Sequence, residues 1–473
     1  MKTVRKKFKK KFSRREFIAK AGTAIAAFTI VPRKVLGGKG FQAPSDMVNV
    51  AGIGIANHGF GNLRGIQSPT GVYESRQLEG AFIARTNAAP IPGVKYNLAN
   101  IYALCDVDDE YAAPVYKAYP KAKKYKDYRE MLDKEPEIDA VYIGTPDHTH
   151  AIISTHALRL GKHVHVEKPL GLTIHEIRVA QKLAREAGVA TTLGNQGHFD
   201  EGSYRTIEWI RSGALGDITD VYYVSSAPSW PCGNIPRPEG VPVPKTLDWN
   251  LWLGPASEKP YHPDICHFKW RGLWDYGTGA MGDFGIHLMD NAVRALNLGA
   301  PIRIQASSSP YNDEFHPLAE KIRWDFPARG NMPPVSLHWF DGGLKPDIPH
   351  QLPPGVNFQE MMWMGSNGVI MLGARFNAPP TLYPQVVMNN PPAETIPRPG
   401  NIHEAWINAI KNGTDTTNNF EHGGHVSEIA LLGLIAIKMQ RLNTPLQYDG
   451  EKITNLPEAN KLFQYEYRQG WTL

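Results

Sequence analysis

Gly54, Ala56 and Gly59 stand in a G-x-G-x-x-G spacing with alanine at the middle position, in the run Gly54-Ile55-Ala56-Asn57-His58-Gly59. A turn of this kind between a strand and a helix lets backbone N–H groups approach a pyrophosphate at the helix N-terminus, with Asn57 and His58 inside the turn. An ordinary strand-to-helix turn has the same spacing, so its place in the chain must decide. Asp106 ends a later apolar run (Leu104-Cys105-Asp106-Val107-Asp108). A carboxylate there can accept hydrogen bonds from ribose hydroxyls and repels a 2′-phosphate. No Arg sits beside it, so the expected cofactor is NAD rather than NADP. A helix N-cap suits Asp108 better than Asp106.

Two further groups follow apolar runs: Thr145-Pro146-Asp147-His148-Thr149-His150 and Glu167-Lys168-Pro169. The carboxyl ends of parallel strands form the crevice where ligands bind, which makes Thr145, Pro146, His150, Glu167 and Lys168 candidates. Asn195 and Gln196, after the next run, join the cofactor set. Lys168, fixed by the following Pro, is placed to meet a substrate hydroxyl. Taken singly, each is equally a helix cap or a solvated charge. Asp283 and His287 are four residues apart, and on a helix they share one face. An isolated D-x-x-x-H also describes a polar pair on a solvated helix.

These residues need a scaffold, and the hydrophobic pattern supplies one. Strands are expected at 47–55, 101–107, 139–144, 163–167 and 190–194, with helices at 109–119, 128–134, 150–160 and 173–187. That alternation predicts a doubly wound parallel sheet, a Rossmann domain over 46–200. The texture changes near residue 201. Helices at 203–212, 403–411 and 426–440 bracket strands at 220–226, 302–306, 321–326, 335–339 and 368–372. The expectation for 201–473 is an α+β substrate domain with a largely antiparallel open sheet. The segment Gly65–Asn97 is rich in Gly, Pro and polar residues, as in a functional loop or subunit contact. It also stretches the interval from the glycine turn to Asp106.

The chain has 473 residues, 42% hydrophobic and 21% charged, as a soluble globular protein does. Residues 1–38 hold twelve Lys or Arg against one Glu, so a net charge of +5 overall leaves −6 on the rest. A mildly acidic body argues against nucleic-acid binding. The leader has another reading. Arg14-Arg15 precedes a short apolar run, Ala21 to Val31, which resembles a twin-arginine export signal processed near Gly37–Gly40. The run is too short to span a bilayer, so no membrane anchor is expected, and the periplasm or another exported location is. Cys105, Cys232 and Cys266 match no metal-ligand spacing, and no metal is expected. Cys105 reads as a buried residue at a strand end; Cys232 and Cys266 could pair in an oxidising compartment.

Taken together, the turn, Asp106 and the two later groups resemble the Gfo/Idh/MocA family, which includes glucose–fructose oxidoreductase and inositol dehydrogenase. The resemblance covers nearly all of residues 46–443. It is most specific at Glu167-Lys168-Pro169 and at Gly279-Ala280-Met281-Gly282-Asp283-Phe284-Gly285-Ile286-His287. Ser212-Gly213-Ala214-Leu215-Gly216 and Trp249-Asn250-Leu251-Trp252-Leu253-Gly254-Pro255 also fit. It implies that Lys168, Asp283 and His287 are the catalytic group. Histidine titrates near working pH and suits removal of a hydroxyl proton. Asp283 would orient it or hydrogen-bond the substrate, and Lys168 would lend charge to the developing alkoxide.

Between Trp230 and Tyr276 lie seven Trp or Tyr residues. Most aromatics bury core surface, while a few stack on sugar C–H faces; Trp270 and Arg271 are expected at the ligand. The expected activity is hydride transfer to or from a secondary hydroxyl of a sugar, glycoside or cyclitol, in a homo-oligomer. An exported enzyme would hold its NAD tightly. One alternative is an NAD-dependent glycoside hydrolase working by transient oxidation and elimination. Another is a non-catalytic sugar- or cofactor-binding protein.

Overall fold

The computed structural model describes residues 47–67, 75–78, 81–84, 99–347, 352, 356, 360–373 and 379–473. The leader with Arg14 and Arg15, its expected processing point and most of the Gly65–Asn97 insertion lie outside them. From Val48 the chain runs β1 (Val48–Ile53), α1 (His58–Gln67), a hairpin β2 (Ser75–Leu78) and β3 (Ala81–Ala84), then β4 (Ala99–Cys105) and α2 (Ala113–Ala118). It continues through β5 (Lys123–Tyr125), α3 (Tyr128–Lys134), β6 (Ala140–Ile143), α4 (Asp147–Arg159), β7 (His163–Glu167), α5 (Ile174–Ala187) and β8 (Thr191–Gly194).

Six of these strands form a parallel sheet in the order β5-β4-β1-β6-β7-β8. β6 and β8 are wholly buried and β1 nearly so, as strands covered on both faces are, and β1 and β6 are largely apolar. The order reverses at β1, so the carboxyl ends of β1, β4 and β6 open a crevice at the switch point. The expected helix at 109–119 shortens to α2. Pro114 has no N–H to give and is tolerated only in a helix's first turn, so the helix starts beside it. Asp108 instead caps the preceding turn, accepting from Glu110 and Tyr111 N–H.

α6 (Glu201–Arg211) leads into β9 (Ile218–Val224), α7 (Trp249–Leu253) and, after a π-turn at Met281–Gly285, α8 (Ile286–Leu296). β10 (Arg303–Ser308), β11 (Glu320–Phe326), β12 (Val335–Phe340), β13 (Met361–Gly365), β14 (Gly368–Leu372) and β15 (Thr381–Tyr383) follow. α9 (Ile402–Asn412), α10 (Phe420–Met439) and β16 (Leu446–Gln447) close the order. The second sheet is β15-β14-β13-β9-β12-β11-β10-β16, antiparallel at every pair except β9 with β12. α10 is apolar almost all round, as a helix buried on every side must be. It packs on α5, β10 and β11, and its Ile429 carbonyl accepts from Trp324 Nε1 at 2.9 Å. α9 returns to the first sheet, where Trp406 and Ile407 share a core with Leu63 and Tyr142.

Cys232 and Cys266 do not pair; all three cysteines are free thiols. Cys266 is buried in an aromatic cluster with Trp252, Tyr261 and Trp270, whereas Cys232 neighbours Glu320 and Asp341. No helix among the described residues is long and apolar enough to cross a membrane.

Candidate active site

A cavity of about 350 Å³ follows the crevice. Gly54, Ala56, Asn57, His58 and Asp106 line it on one side, with Thr145, Pro146, His150 and Glu167 along its floor. Lys168, Gln196, Trp270, Arg271, Asp283 and His287 stand farther on. One space therefore holds all of the expected site residues except Gly59 and Asn195.

The glycines are set by geometry. Gly54 adopts φ +70°, and a Cβ there would lie 2.7 Å from Thr145 N. A Cβ on Gly59 would lie 2.3 Å from Gly54 O. Only glycine allows the turn to close this tightly. Asp106 Oδ2 accepts from Ile55 N at 3.0 Å, and its Oδ1 accepts from Asp108 N at 3.1 Å. Burial raises its pKa to about 6. The carboxylate thus braces the glycine turn while remaining on the cavity wall.

His150 is occupied otherwise than expected. Its Nδ1 lies 2.6 Å from Pro169 O and its Nε2 2.8 Å from Thr145 O, so no ring nitrogen is left for a ligand. The side chain ties the two candidate loops together. Glu167 likewise turns to the protein. It lies 3.4 Å from His58 Nε2 and accepts from Tyr142 OH at 3.3 Å. Burial pushes its pKa up, but His58 outweighs that and brings it to about 2.

Asp283 departs from the helical reading. It sits in the π-turn that precedes α8, not on a regular helix with His287. Such single wide turns recur at functional sites. Here the turn brings Asp283 Oδ1 against Lys168 Nζ, with Arg271 Nε at 3.4 Å. Burial disfavours the Asp283 carboxylate; Lys168 and Arg271 more than offset it and hold its pKa well below the usual range. Arg271 also stacks over Trp270, 4.3 Å from its ring centroid.

His287 Nδ1 lies 2.8 Å from Asn195 Oδ1. Asn195 is therefore behind the histidine and not on the cavity wall. Burial, then the nearby Lys168 charge, lowers the His287 pKa to about 4. The imidazole is neutral, with Nδ1–H donated to the amide oxygen and the Nε2 lone pair open.

Residues missed in the sequence complete the wall. Trp230, Phe268 and Phe284 face the Lys168 end, while Tyr111, Trp252 and Trp471 face the Asp106 end. Of these, Trp230, Trp252 and Phe268 fall in the aromatic-rich stretch and Phe284 in the Gly279–His287 motif; Tyr111 and Trp471 carry no local signal. Asp147 was also missed as a positioning group. Its Oδ2 accepts from Thr278 N at 3.0 Å and from Thr278 Oγ1 at 2.6 Å, tying the α4 start to the segment before the π-turn. Away from the cavity, His198, Asp290 and His422 gather their ligand-type atoms within 4.8 Å. There both imidazoles face Asp290 Oδ1, at 3.0 and 2.6 Å.

Residues 78–195 match a family model described as "Oxidoreductase family, NAD-binding Rossmann fold", and residues 232–326 match "Oxidoreductase family, C-terminal alpha/beta domain", both of Gfo/Idh/MocA. The chain is 36% identical over 104 residues to a 1-carboxy-3-chloro-3,4-dihydroxycyclohexa-1,5-diene dehydrogenase of Comamonas testosteroni, 22% of this chain and 26% of that one. It is 36% identical over 98 residues to a scyllo-inositol 2-dehydrogenase (NAD(+)) of Bacillus subtilis, 21% of this chain and 28% of that one. These matches span about a quarter of each relative. A solved levoglucosan dehydrogenase in complex with NADH and levoglucosan shares the fold, with a TM-score of 0.52 and 17% identity over 85% of this chain and 99% of that one. The two matches fall in chain order, so residues 78–195 and 232–326 are similar to the NAD-binding and C-terminal domains of Gfo/Idh/MocA oxidoreductases, and the relatives that the chain matches in part are named as dehydrogenases.

Proposed function

We propose that this protein is an NAD-dependent oxidoreductase transferring hydride to or from a secondary hydroxyl of a sugar, glycoside or cyclitol. The observation that carries the reading is one cavity with the glycine turn and Asp106 at one end and Lys168, Asp283 and His287 at the other. The residues present fit a dinucleotide. Gly54 and Gly59 form a cradle that a Cβ would fill. Gln196 lines the cavity with its buried Nε2 unpartnered among the described residues. The Asp106 carboxylate suits ribose hydroxyls and opposes a 2′-phosphate, which favours NAD.

When bound, the nicotinamide supplies the acceptor or donor of hydride. The chain does the rest. His287 Nε2 takes the hydroxyl proton as the carbinol hydrogen leaves with its electron pair, and the product is a ketone. Asn195 holds the imidazole in the tautomer that leaves Nε2 basic. Lys168, positioned by Asp283, stabilises the oxygen as it gains negative charge. Trp270, Trp230 and Phe268 offer apolar faces to a sugar ring, with Arg271 among them. That one relative is named for an inositol and a solved neighbour holds levoglucosan supports a polyhydroxylated ring as substrate.

Purified protein given NAD and a panel of sugars, glycosides and cyclitols should generate reduced nicotinamide and a keto product with some of them. Failure to bind NAD would end the reading. Release of an aglycone with no keto product would mark the hydrolytic route instead. Binding of sugar or NAD without turnover, unchanged in His287→Ala, would mark a binding protein. The same proposal extends to location and assembly. The Arg14-Arg15 leader would export the folded chain with NAD already inside, and copies would pair through the open sheet. Replacing both arginines with lysine should keep the protein in the cytoplasm, and light scattering should give a multiple of the chain mass.

A further inference from the structure

The cavity does not end at Asp106. It continues past Tyr111 to Lys126, Asp127 and Tyr128, and there Leu251, Trp252 and Trp471 also line it. Trp471 comes from a segment more than 300 residues away from Tyr128 in the chain. In a doubly wound sheet the ribose-binding carboxylate marks where the adenosine half of a dinucleotide lies. Trp471, held on Arg129 beside Tyr128, lines the cavity with the residues beyond Asp106.

Residues 464–473 are held in place along their length. Tyr467 OH bonds Glu176 Oε1 at 2.5 Å, on α5. Arg468 grips the turn after α7: its Nε donates to Gly254 O at 2.6 Å, its Nη1 to Asn250 Oδ1 at 2.8 Å, and its own N–H to Pro255 O at 3.1 Å. Trp471 N closes back on Arg468 O at 3.2 Å. The indole lies against the Arg129 guanidinium of α3, 4.4 Å from its ring centroid. Arg159 of α4 then donates to Leu473 O at 3.0 Å. Three helices of the first domain and one turn of the second are thus laced together by a single strap, and an aromatic ring hangs from it into the cavity.

The geometry points to Trp471 as a nucleotide-binding residue, stacking at the adenine end, and to 464–473 as a strap that makes the dinucleotide a resident group rather than a freely exchanging one. This rests on the dinucleotide reading of the cavity. A planar base between an indole and the opposite wall gains a stacking contact, and it can leave only after the strap lifts. The bound nucleotide must then be restored in place, by a second carbonyl substrate taking the hydride or by reversal of the first step.

The test is release of NADH, followed by its fluorescence after dilution into excess unlabelled NAD, for the wild type, Trp471→Ala and Trp471→Phe. Stacking on one aromatic ring leads us to expect release on the order of ten- to a hundredfold faster in Trp471→Ala. Trp471→Phe should recover most of the slow release. Arg468→Ala, which leaves the indole intact but loosens the strap, should also speed release. Thermal melting of each variant checks that the fold survives. NADH bound by all variants and released at the wild-type rate would overturn the strap while leaving the dinucleotide reading intact. No binding of NADH by the wild type would overturn both.

Discussion

Asn195 Oδ1 lies 2.8 Å from His287 Nδ1, and an amide oxygen can only accept. The proton therefore sits on Nδ1, and the basic nitrogen is Nε2. Asn195 is a positioning residue, and its replacement separates position from chemistry. His287→Ala should lower turnover by about 10²- to 10⁴-fold, the usual worth of a general base. Asn195→Leu should cost less, on the order of tenfold, chiefly in kcat.

The pH profile gives a sharper version. A base whose pKa is lowered to about 4 is deprotonated throughout the neutral range, so with NAD saturating and the protein still folded, kcat/KM for the sugar should be flat from pH 6 to 8 and show its acid limb as pH approaches 4. Asn195→Asp keeps an acceptor but adds negative charge, which favours the imidazolium and raises that pKa. Its acid limb should move to higher pH. An unmoved limb in Asn195→Asp would count against His287 as the base.

Lys168 and Asp283 form a buried pair that serves both stability and function. Lys168→Met leaves the Asp283 carboxylate buried with only Arg271 nearby. Removing one partner of a buried pair costs up to about 3–5 kcal/mol, less here because Arg271 stays within 3.4 Å. Lys168→Met/Asp283→Leu removes both charges and should regain much of the lost melting temperature. It should regain none of the activity. Thermal melts and turnover measured side by side distinguish the two roles.

Asp106 should set the choice of dinucleotide. Asp106→Ser removes the negative charge that opposes a 2′-phosphate and the acceptor for ribose hydroxyls. Affinity for NAD should fall while that for NADP holds or rises, read by fluorescence titration with both. The effect on the fold should be small but real, since Oδ2 also accepts from Ile55 N. In the wild type, NAD should bind less tightly as pH falls through about 6, where this buried carboxyl takes a proton.

The residues that strand ends place on the cavity were legible in the sequence. The Gly54–Gly59 turn, Asp106 at the end of β4 and Lys168 after β7 follow from strand ends, and strand ends follow from apolar runs. What sequence spacing does not carry is the company each side chain keeps. Glu167 and His150 stand where a cofactor group is expected, yet their polar atoms are spent on His58, Tyr142 and two carbonyls. Asp283 and His287 share a cavity, but through a π-turn that a D-x-x-x-H pattern does not distinguish from an α-helix. Asp147 with Thr278, and Trp471 over the Asp106 end, join elements more than a hundred residues apart, where no periodicity reaches. Pro114, by contrast, is a local signal, since a proline is at home only in a helix's first turn.

Acid should unfold this protein early, and the reason is the number of histidines buried without charge. Burial lowers the pKa of His148, His165 and His198 to about 4 and that of His316 to about 3. For His165 neither ring nitrogen has a hydrogen-bond partner among the described residues, so a proton there gains nothing. In the unfolded chain each titrates near 6.5. Between 6.5 and about 4 the unfolded state therefore binds protons that the folded state refuses, and stability falls as pH falls. Each such histidine adds a slope of at most about 1.4 kcal/mol per pH unit. Glu167 extends the loss at lower pH, since its folded pKa of about 2 lies below the unfolded value. Urea midpoints should be level from pH 7 to 8 and drop steeply from 6.5 toward 4. His165→Phe should flatten that drop measurably, because the ring it replaces contributes only a liability to protonate; midpoints independent of pH down to 4.5 would show that these histidines are not held neutral.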